Sequence, residues 1–264
     1  MRAIVAVIAL AAAALVAGVV YATRQDPAQP KVLCKKDPVV QIVAGVSSPY
    51  LGQVRQAFAK GPRSAARALE GLANEHPKDP VVQFNEATAL LCAGYVAEAT
   101  QGYRRAKKAG RDTYYEVKAD NFLHPQYFDQ GYPILQYEGH DPLLIQGQFE
   151  QRRFHQRSAE RLYAKAARLH PNDADAQVAA AVGRFDMDDL NASFSRLGPL
   201  VKRFPTSQTV RFHLGLLLAW TGQRTLAVKE FQVARDLGAK TTLGKEATAF
   251  LVRLGSSGTS GSKR

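Results

Sequence analysis

The sequence predicts an all-α fold, a solenoid of about five helix-turn-helix repeats, and three regularities lead to that prediction. Small residues recur at a spacing of 34 residues, with one interruption, and bulky residues follow them by four positions on the same helix face. Prolines near the ends of three units mark places where a helix must stop. The pairs are Ala65 and Leu69, Ala99 and Tyr103, Ala159 and Tyr163, Ser193 and Leu197, and Ala227 and Phe231, and the prolines are Pro77, Pro171 and Pro205.

The N-terminal segment, residues 1–23, is predicted to be a transmembrane anchor. Residues 3–22 form an apolar run without a charged, Asn, Gln, Ser or Thr side chain, and a helix of that length spans about 30 Å, the thickness of a hydrocarbon core. A cleaved secretory signal is the alternative, because Arg2 gives a basic start and small residues end the run. The lipid bilayer is therefore the expected contact of residues 3–22, and the cell membrane, crossed once, the expected location.

Two sequence signals make opposite predictions of the orientation of the chain in the membrane. The basic residues after the apolar run favour a cytoplasmic repeat domain, whereas the two-residue head before the run is typical of a signal-anchor that exports the downstream domain. We expect the repeat domain on the extracytoplasmic side. Residues 24–45 carry three prolines and mixed charge, and they are predicted to be an extended linker.

The last repeat, which begins at Gln208, shows the pattern most completely. It carries Gly215, Ala227, Phe231 and Ala234 at positions 8, 20, 24 and 27 of the unit. In these positions the chain resembles the tetratricopeptide repeat (TPR) family, whose 34-residue unit is an antiparallel helix pair. The predicted segments are TPR repeats 1–2 over 46–113, an insert over 114–139, TPR repeats 3–5 over 140–241, a capping helix over 242–254 and a disordered tail over 255–264.

The insert, residues 114–139, differs from the repeats in composition. It holds seven aromatic residues and one lysine against four acids, in a chain whose net charge is +12. One interpretation is a loop or extra helix whose rings cover an exposed repeat edge. The other is an aromatic, acidic recognition element for a partner.

The resemblance implies a partner-binding groove on the concave side, lined by fixed positions of each repeat's first helix. The groove read from those positions is mostly apolar and suits an amphipathic helix or an extended peptide. The family's carboxylate clamp has no counterpart there, and some of these side chains are alternatively covered by the insert. The candidate groove residues are Phe84, Thr88, Leu91, Leu144, Gln148, Arg152, Val178, Val182, Phe185, Phe212, Leu216 and Trp220.

The resulting functional prediction is a membrane-anchored scaffold that binds another protein through this groove. The alternatives are an accessory or regulatory subunit of a membrane-associated enzyme complex, a hydrolase with an unrecognised site in the insert, and a self-associating solenoid. The positive charge is spread over several segments without a groove-reading motif, so nucleic acid is not an expected partner. The oligomeric state stays open.

Catalytic and metal-binding motifs are missing from the sequence. No HExxH, CxxC, GxSxG or phosphate loop is present, so we expect neither an enzyme nor a cofactor. Asp186, Asp188 and Asp189 lack the rest of a calcium loop and are expected in a turn with an aspartate N-cap. Cys34 and Cys92 can pair if the domain is exported, although Cys92 on its own is expected to be a small core residue.

Overall fold

The computed structural model describes residue 34 and residues 40–125 and 133–256. The predicted anchor, most of the linker and the end of the tail lie outside these residues. Within the described part no helix is long and apolar enough to cross a membrane. The described helices are α1 (Leu51–Phe58), α2 (Pro62–Glu75), α3 (Pro80–Ala93), α4 (Val96–Ala109), α5 (Tyr114–Leu123), α6 (Pro142–Arg152), α7 (Gln156–Leu169), α8 (Ala174–Gly183), α9 (Leu190–Arg203), α10 (Gln208–Trp220), α11 (Arg224–Leu237) and α12 (Thr242–Ser256).

The helices form consecutive pairs joined by short turns. Repeat 1 packs on repeat 2, and repeats 3, 4 and 5 pack on one another, which makes an all-α solenoid. The second helices of the five pairs begin 34, 60, 34 and 34 residues apart, so the period in the sequence is the period of the structure. This architecture is TPR-like. The starting residues of the second helices are Pro62, Val96, Gln156, Leu190 and Arg224.

The first helices of repeats 2 to 5 begin at a side-chain N-cap. Asp79 accepts a hydrogen bond from the Val82 N–H at 3.0 Å, and Ser207 accepts one from the Val210 N–H at 3.3 Å. Asp141 and Asp173 cap their helices in the same way. Three of the four caps follow a proline by two residues, so a turn and a helix start occur together in the sequence.

Small residues allow the paired helices to approach each other closely. Tyr163 of α7 is fully buried between Gly147 of α6 and Gly183 of α8, and a Cβ atom on Gly147 would overlap the tyrosine ring. Gly215 and Phe231 repeat this arrangement in the last pair. Glycines at these positions therefore allow the buried rings of Tyr163 and Phe231 to pack directly on the backbone of the facing helix.

The interruption after repeat 2 is bridged by a carboxylate. Asp112, which has a φ of 63°, accepts hydrogen bonds from the backbone N–H groups of Arg157 and Ser158 at 2.9 and 3.0 Å, and thereby caps α7. Burial alone would raise the pKa of Asp112, but the hydrogen bonds from Ser158 and Arg157 lower it below its ordinary value. Arg157 also pairs with the buried Glu116 of the insert at 3.0 Å. Repeats 2 and 3 are thus connected, although 26 residues more than the regular period lie between them.

The linker is not a simple spacer, and Cys92 is not a core residue. Cys34 forms a disulfide with Cys92, and Cys92 is half-buried near the end of α3. The disulfide joins the linker to the first helix of repeat 2 across a separation of 58 residues. Helix α12 also continues through Ser256, past the predicted end of the capping helix.

Candidate functional site

The predicted groove residues do not form an open apolar trough. Leu91, Gln148 and Leu216 are half-buried, Arg152 is exposed, and the remaining eight are buried. Those eight do not line an open groove, because neighbouring helices and two extended chain segments cover them. The buried eight are Phe84, Thr88, Leu144, Val178, Val182, Phe185, Phe212 and Trp220.

Aromatic packing explains much of this burial. The Phe84 ring lies 5.3 Å from the ring of Tyr115 and 5.9 Å from that of Phe122, and both of these belong to the insert. The insert therefore covers the groove position of repeat 2, which is the first of the two interpretations of that segment. In the C-terminal half, Phe185 and Trp220 pack edge to face at 4.8 Å within the stack of repeats.

An extended segment, residues 40–43, which we call the N-terminal strap, lies on the first helix of repeat 2. The side-chain amide of Asn85 accepts the Gln41 N–H at 2.7 Å and donates to the Gln41 carbonyl at 2.9 Å. The Tyr115 hydroxyl donates to the same carbonyl at 2.8 Å. Val43 is buried in the core cluster of Phe84. One asparagine thus binds both main-chain groups of a strap residue.

A second extended segment, residues 133–137, which we call the insert strap, lies on the first helix of repeat 3. The Leu135 N–H donates to Gln151 Oε1 at 2.9 Å, and Gln148 Nε2 donates to the Leu135 carbonyl at 2.9 Å. Gln151 Nε2 donates to the Pro133 carbonyl at 3.3 Å, and the Tyr163 hydroxyl donates to Gln151 Oε1 at 3.2 Å. Leu135 and Gln151 are both fully buried.

His213 of repeat 5 binds the next residue of the insert strap. Its Nε2 accepts the Gln136 N–H at 2.8 Å, so Nδ1 carries the proton and donates to the Thr209 carbonyl at 2.8 Å. Burial lowers the pKa of His213 to about 4, although the bond to Thr209 acts in the opposite direction. The ring is therefore neutral, as an acceptor at Nε2 must be.

The neutral state of His213 predicts a pH dependence of stability. As the pH falls from about 6.5 to about 4, the unfolded chain protonates this ring while the folded chain does not, so the free energy of unfolding decreases over that window. The wild type should lose more stability than His213→Gln between about pH 7 and about pH 5, measured by urea unfolding. An equal loss in both proteins would contradict the assignment of a neutral, buried ring.

An acidic cluster near the end of α5 surrounds the side chain of Lys107. Asp120 and Asp188 lie 2.7 Å from the Lys107 ammonium, and His124 lies 2.8 Å from Asp188. Burial raises the pKa of Asp120 to about 6 against the opposing effect of Lys107. Asp120, His124 and Asp188 are close enough to hold a metal ion, but the ammonium already lies among the carboxylates. Asp189 caps α9, as the sequence predicts.

The basic side chains of α7 contribute to a cleft of about 750 Å³ on another part of the surface. Arg111 and Arg184 contribute to the same cleft from two turns. The two carboxylates that line this cleft already have partners, since Asp112 caps α7 and Glu160 pairs with Arg157 and Arg184. The cleft is separate from both straps.

No protein-family model matches the chain, and no curated protein matches it. Among solved structures it is similar to YrrB, a TPR protein with an unusual peptide-binding site (13% identity, 76% of this chain and 91% of that chain, TM-score 0.32). It is also similar to the TPR2AB domain of yeast Sti1 in its pHSP90 complex (11%, 77% and 83%, 0.34) and to MamA from Desulfovibrio magneticus RS-1 (16%, 73% and 95%, 0.26). At these TM-scores the superpositions carry no argument, and the TPR-like description rests on the helix pairs.

Two residues that hold the straps, Asn85 and His213, were not predicted from the sequence, whereas Gln148 was predicted as a groove residue. A signal for both of the missed residues is present in the sequence. Asn85 and His213 interrupt strongly apolar first helices, and both are the sixth residue of their helix. A polar side chain that is buried in such a helix needs a partner, and here the partner is the main chain of a strap.

Proposed function

We propose that this protein is a membrane-anchored interaction scaffold that binds a segment of another protein on the first-helix surface, the surface formed by the first helices of its repeats. One observation carries the proposal. Asn85 and Gln151, on two different repeats, each bind both donor and acceptor groups of an extended main chain. Side-chain amides can bind any extended peptide in this way, because every residue except proline presents one N–H and one C=O.

The chemistry of the described residues supports binding rather than catalysis. The buried polar side chains Asn85, Gln151 and His213 are all used to hold main-chain groups. The ionisable cluster around Lys107 joins repeat 2 and the insert to the turn before α9. We therefore propose a non-enzymatic role. If the partner is an enzyme, this protein is an accessory subunit of that enzyme complex.

The proposed location is the extracytoplasmic side of a membrane. The apolar run of residues 3–22 supports an anchor. The disulfide between Cys34 and Cys92 supports an oxidising compartment, because cytosolic thiols are kept reduced. Thiol labelling tests this proposal. Cells are lysed under acid quench, which preserves the thiol state, and the protein is then treated with a thiol-reactive polymer. Cys34 and Cys92 should be modified only after the sample has been reduced.

Site-specific photocrosslinking tests the scaffold function. A photoreactive residue at the exposed Arg152 or at the half-buried Leu216, both groove positions, should form adducts with a partner in native membranes. The matched control is the exposed Val233 of α11, in the second helix of the same repeat as Leu216. Buried positions such as Phe212 and Trp220 are unsuitable, because their substitution disrupts packing.

The expected result is one recurring adduct from Leu216 and Arg152 and none from Val233. A self-associating solenoid would instead give an adduct of twice the protein's own mass. Equal labelling from Val233, or no adduct from either groove position, would contradict the proposal.

A further inference from the structure

We infer that the insert strap, residues 133–137, is a built-in ligand of repeats 3–5, and that the partner of this surface is an extended peptide whose leucine takes the place of Leu135. This inference rests on the proposed function, because it names the partner class and the competitor at the same first-helix surface.

The main chain of the insert strap is bound by side chains. Across the part of the chain that the structure describes, its peptide groups make no hydrogen bond to another main-chain group. Gln151 accepts the N–H of the peptide group before Leu135, and Gln148 and His213 bind the C=O and the N–H of the peptide group after it. These contacts come from repeat 3 and repeat 5, so the strap is bound as a peptide ligand would be and is not part of a sheet or a helix.

The side chains of the strap show which residues this surface selects. Pro133 and Leu135 are buried, whereas Ile134 and Gln136 between them are only half-buried, the alternation expected of an extended chain. Leu135 belongs to the same buried cluster as Leu144 of α6 and Phe212 of α10. A competing peptide therefore needs an apolar side chain at the Leu135 position and an extended main chain around it.

The polar groups that hold the strap do not depend on its sequence. If the strap leaves, Gln151 and His213 lose main-chain partners that any extended peptide can replace. The strap is covalently attached, so a free peptide competes against an effective concentration on the order of millimolar. The wild-type protein should therefore bind such a peptide weakly, and a protein whose strap is released should bind it much more tightly.

Fluorescence anisotropy tests the competition. The probe is a labelled peptide with the sequence of residues 133–139, PILQYEG, titrated into the full chain in micelles of an uncharged detergent. Leu135→Asp places a charge in an apolar site and should release the strap, so the probe should bind this variant about tenfold more tightly or better than the wild type. The matched control is Ile134→Asp, at the half-buried neighbouring position, which should stay within about twofold of the wild type.

A second substitution locates the binding. Gln151→Leu, added to Leu135→Asp, removes the amide that holds two strap residues and should abolish the gain in affinity. The inference is overturned if Leu135→Asp binds the probe no more tightly than the wild type, or if the gain survives Gln151→Leu.

Hydrogen exchange on the wild type gives a readout that does not need a variant to fold. The probe is added at millimolar concentration, on the order of the effective concentration of the tethered strap. By displacing the strap it should accelerate hydrogen exchange at the amides of Leu135 and Gln136. Unchanged exchange at both amides overturns the inference. If the probe binds as expected but positions 216 and 152 crosslink no protein, the proposed scaffold function is wrong and the inference about the strap stands. If those positions crosslink a partner but Leu135→Asp does not bind the probe more tightly, only the inference about the strap is wrong.

Discussion

Tyr163→Ala is expected to lower the free energy of unfolding by about 3–5 kcal/mol, the range for removing a large aromatic side chain from a packed core. Tyr163 is fully buried, and Gly147 and Gly183 on the two adjacent helices leave no side chain that can fill the space. Its hydroxyl also supports Gln151, which holds the insert strap. The loss therefore combines a cavity at the centre of repeat 3 with an incomplete hydrogen-bond network at the candidate site.

Two companion variants separate these contributions, and urea unfolding monitored by circular dichroism measures all three. Tyr163→Phe removes only the hydroxyl and should cost about 1 kcal/mol. Leu169→Ala, on the same helix but 58% exposed, should change stability by less than about 0.5 kcal/mol. A Tyr163→Ala protein as stable as Leu169→Ala would contradict the ring-on-glycine packing of this repeat.

Loss of the disulfide is the second large expected effect. Replacing Cys34 and Cys92 together by serine should lower the free energy of unfolding by about 2–4 kcal/mol, because the bond closes a long loop and restricts the unfolded chain. Reduction of the wild type should reproduce the loss, and reductant should leave the double variant unchanged. Wild-type stability that is insensitive to reductant would show that the two thiols are not joined.

The same substitution should have a local signature at the N-terminal strap. Cys34 fixes the chain six residues before this strap begins, and Asn85 then binds Gln41. Without the disulfide the strap is held by its hydrogen bonds and by Val43 alone, so hydrogen exchange at the Gln41 amide should accelerate. The amide of Leu135, on the other strap, serves as the internal control.

The repeat architecture was predictable because it depends on local regularities. The spacing of Ala159, Ser193 and Ala227 gives the helix pairs, and the proline two residues before Asp79 gives a helix start. These signals persist through the 26-residue interruption because the repeats on either side pack by the same rule. Of the two glycine partners of Tyr163, Gly147 occupies the repeat position that Gly215 holds in the last repeat, whereas Gly183 lies two residues after that position.

The candidate site was less predictable because it depends on contacts between distant parts of the chain. Gln41 meets Asn85 across 44 residues, and Gln136 meets His213 across 77. A periodic pattern shows which face of a helix is apolar, but it does not show which segment covers that face. For this reason Phe84 and Phe212 were predicted to line the groove, although both are buried.

The insert strap, an extended segment of the chain, occupies the first-helix surface of repeats 3–5. Amide hydrogen exchange of the wild type tests this occupancy most directly, because Leu135 and Gln136 lie in no helix or strand. Both amides should exchange much more slowly than that of Ile134, since only the former donate to Gln151 and His213. Exchange of Leu135 and Gln136 at the rate of an unstructured chain would contradict the occupancy.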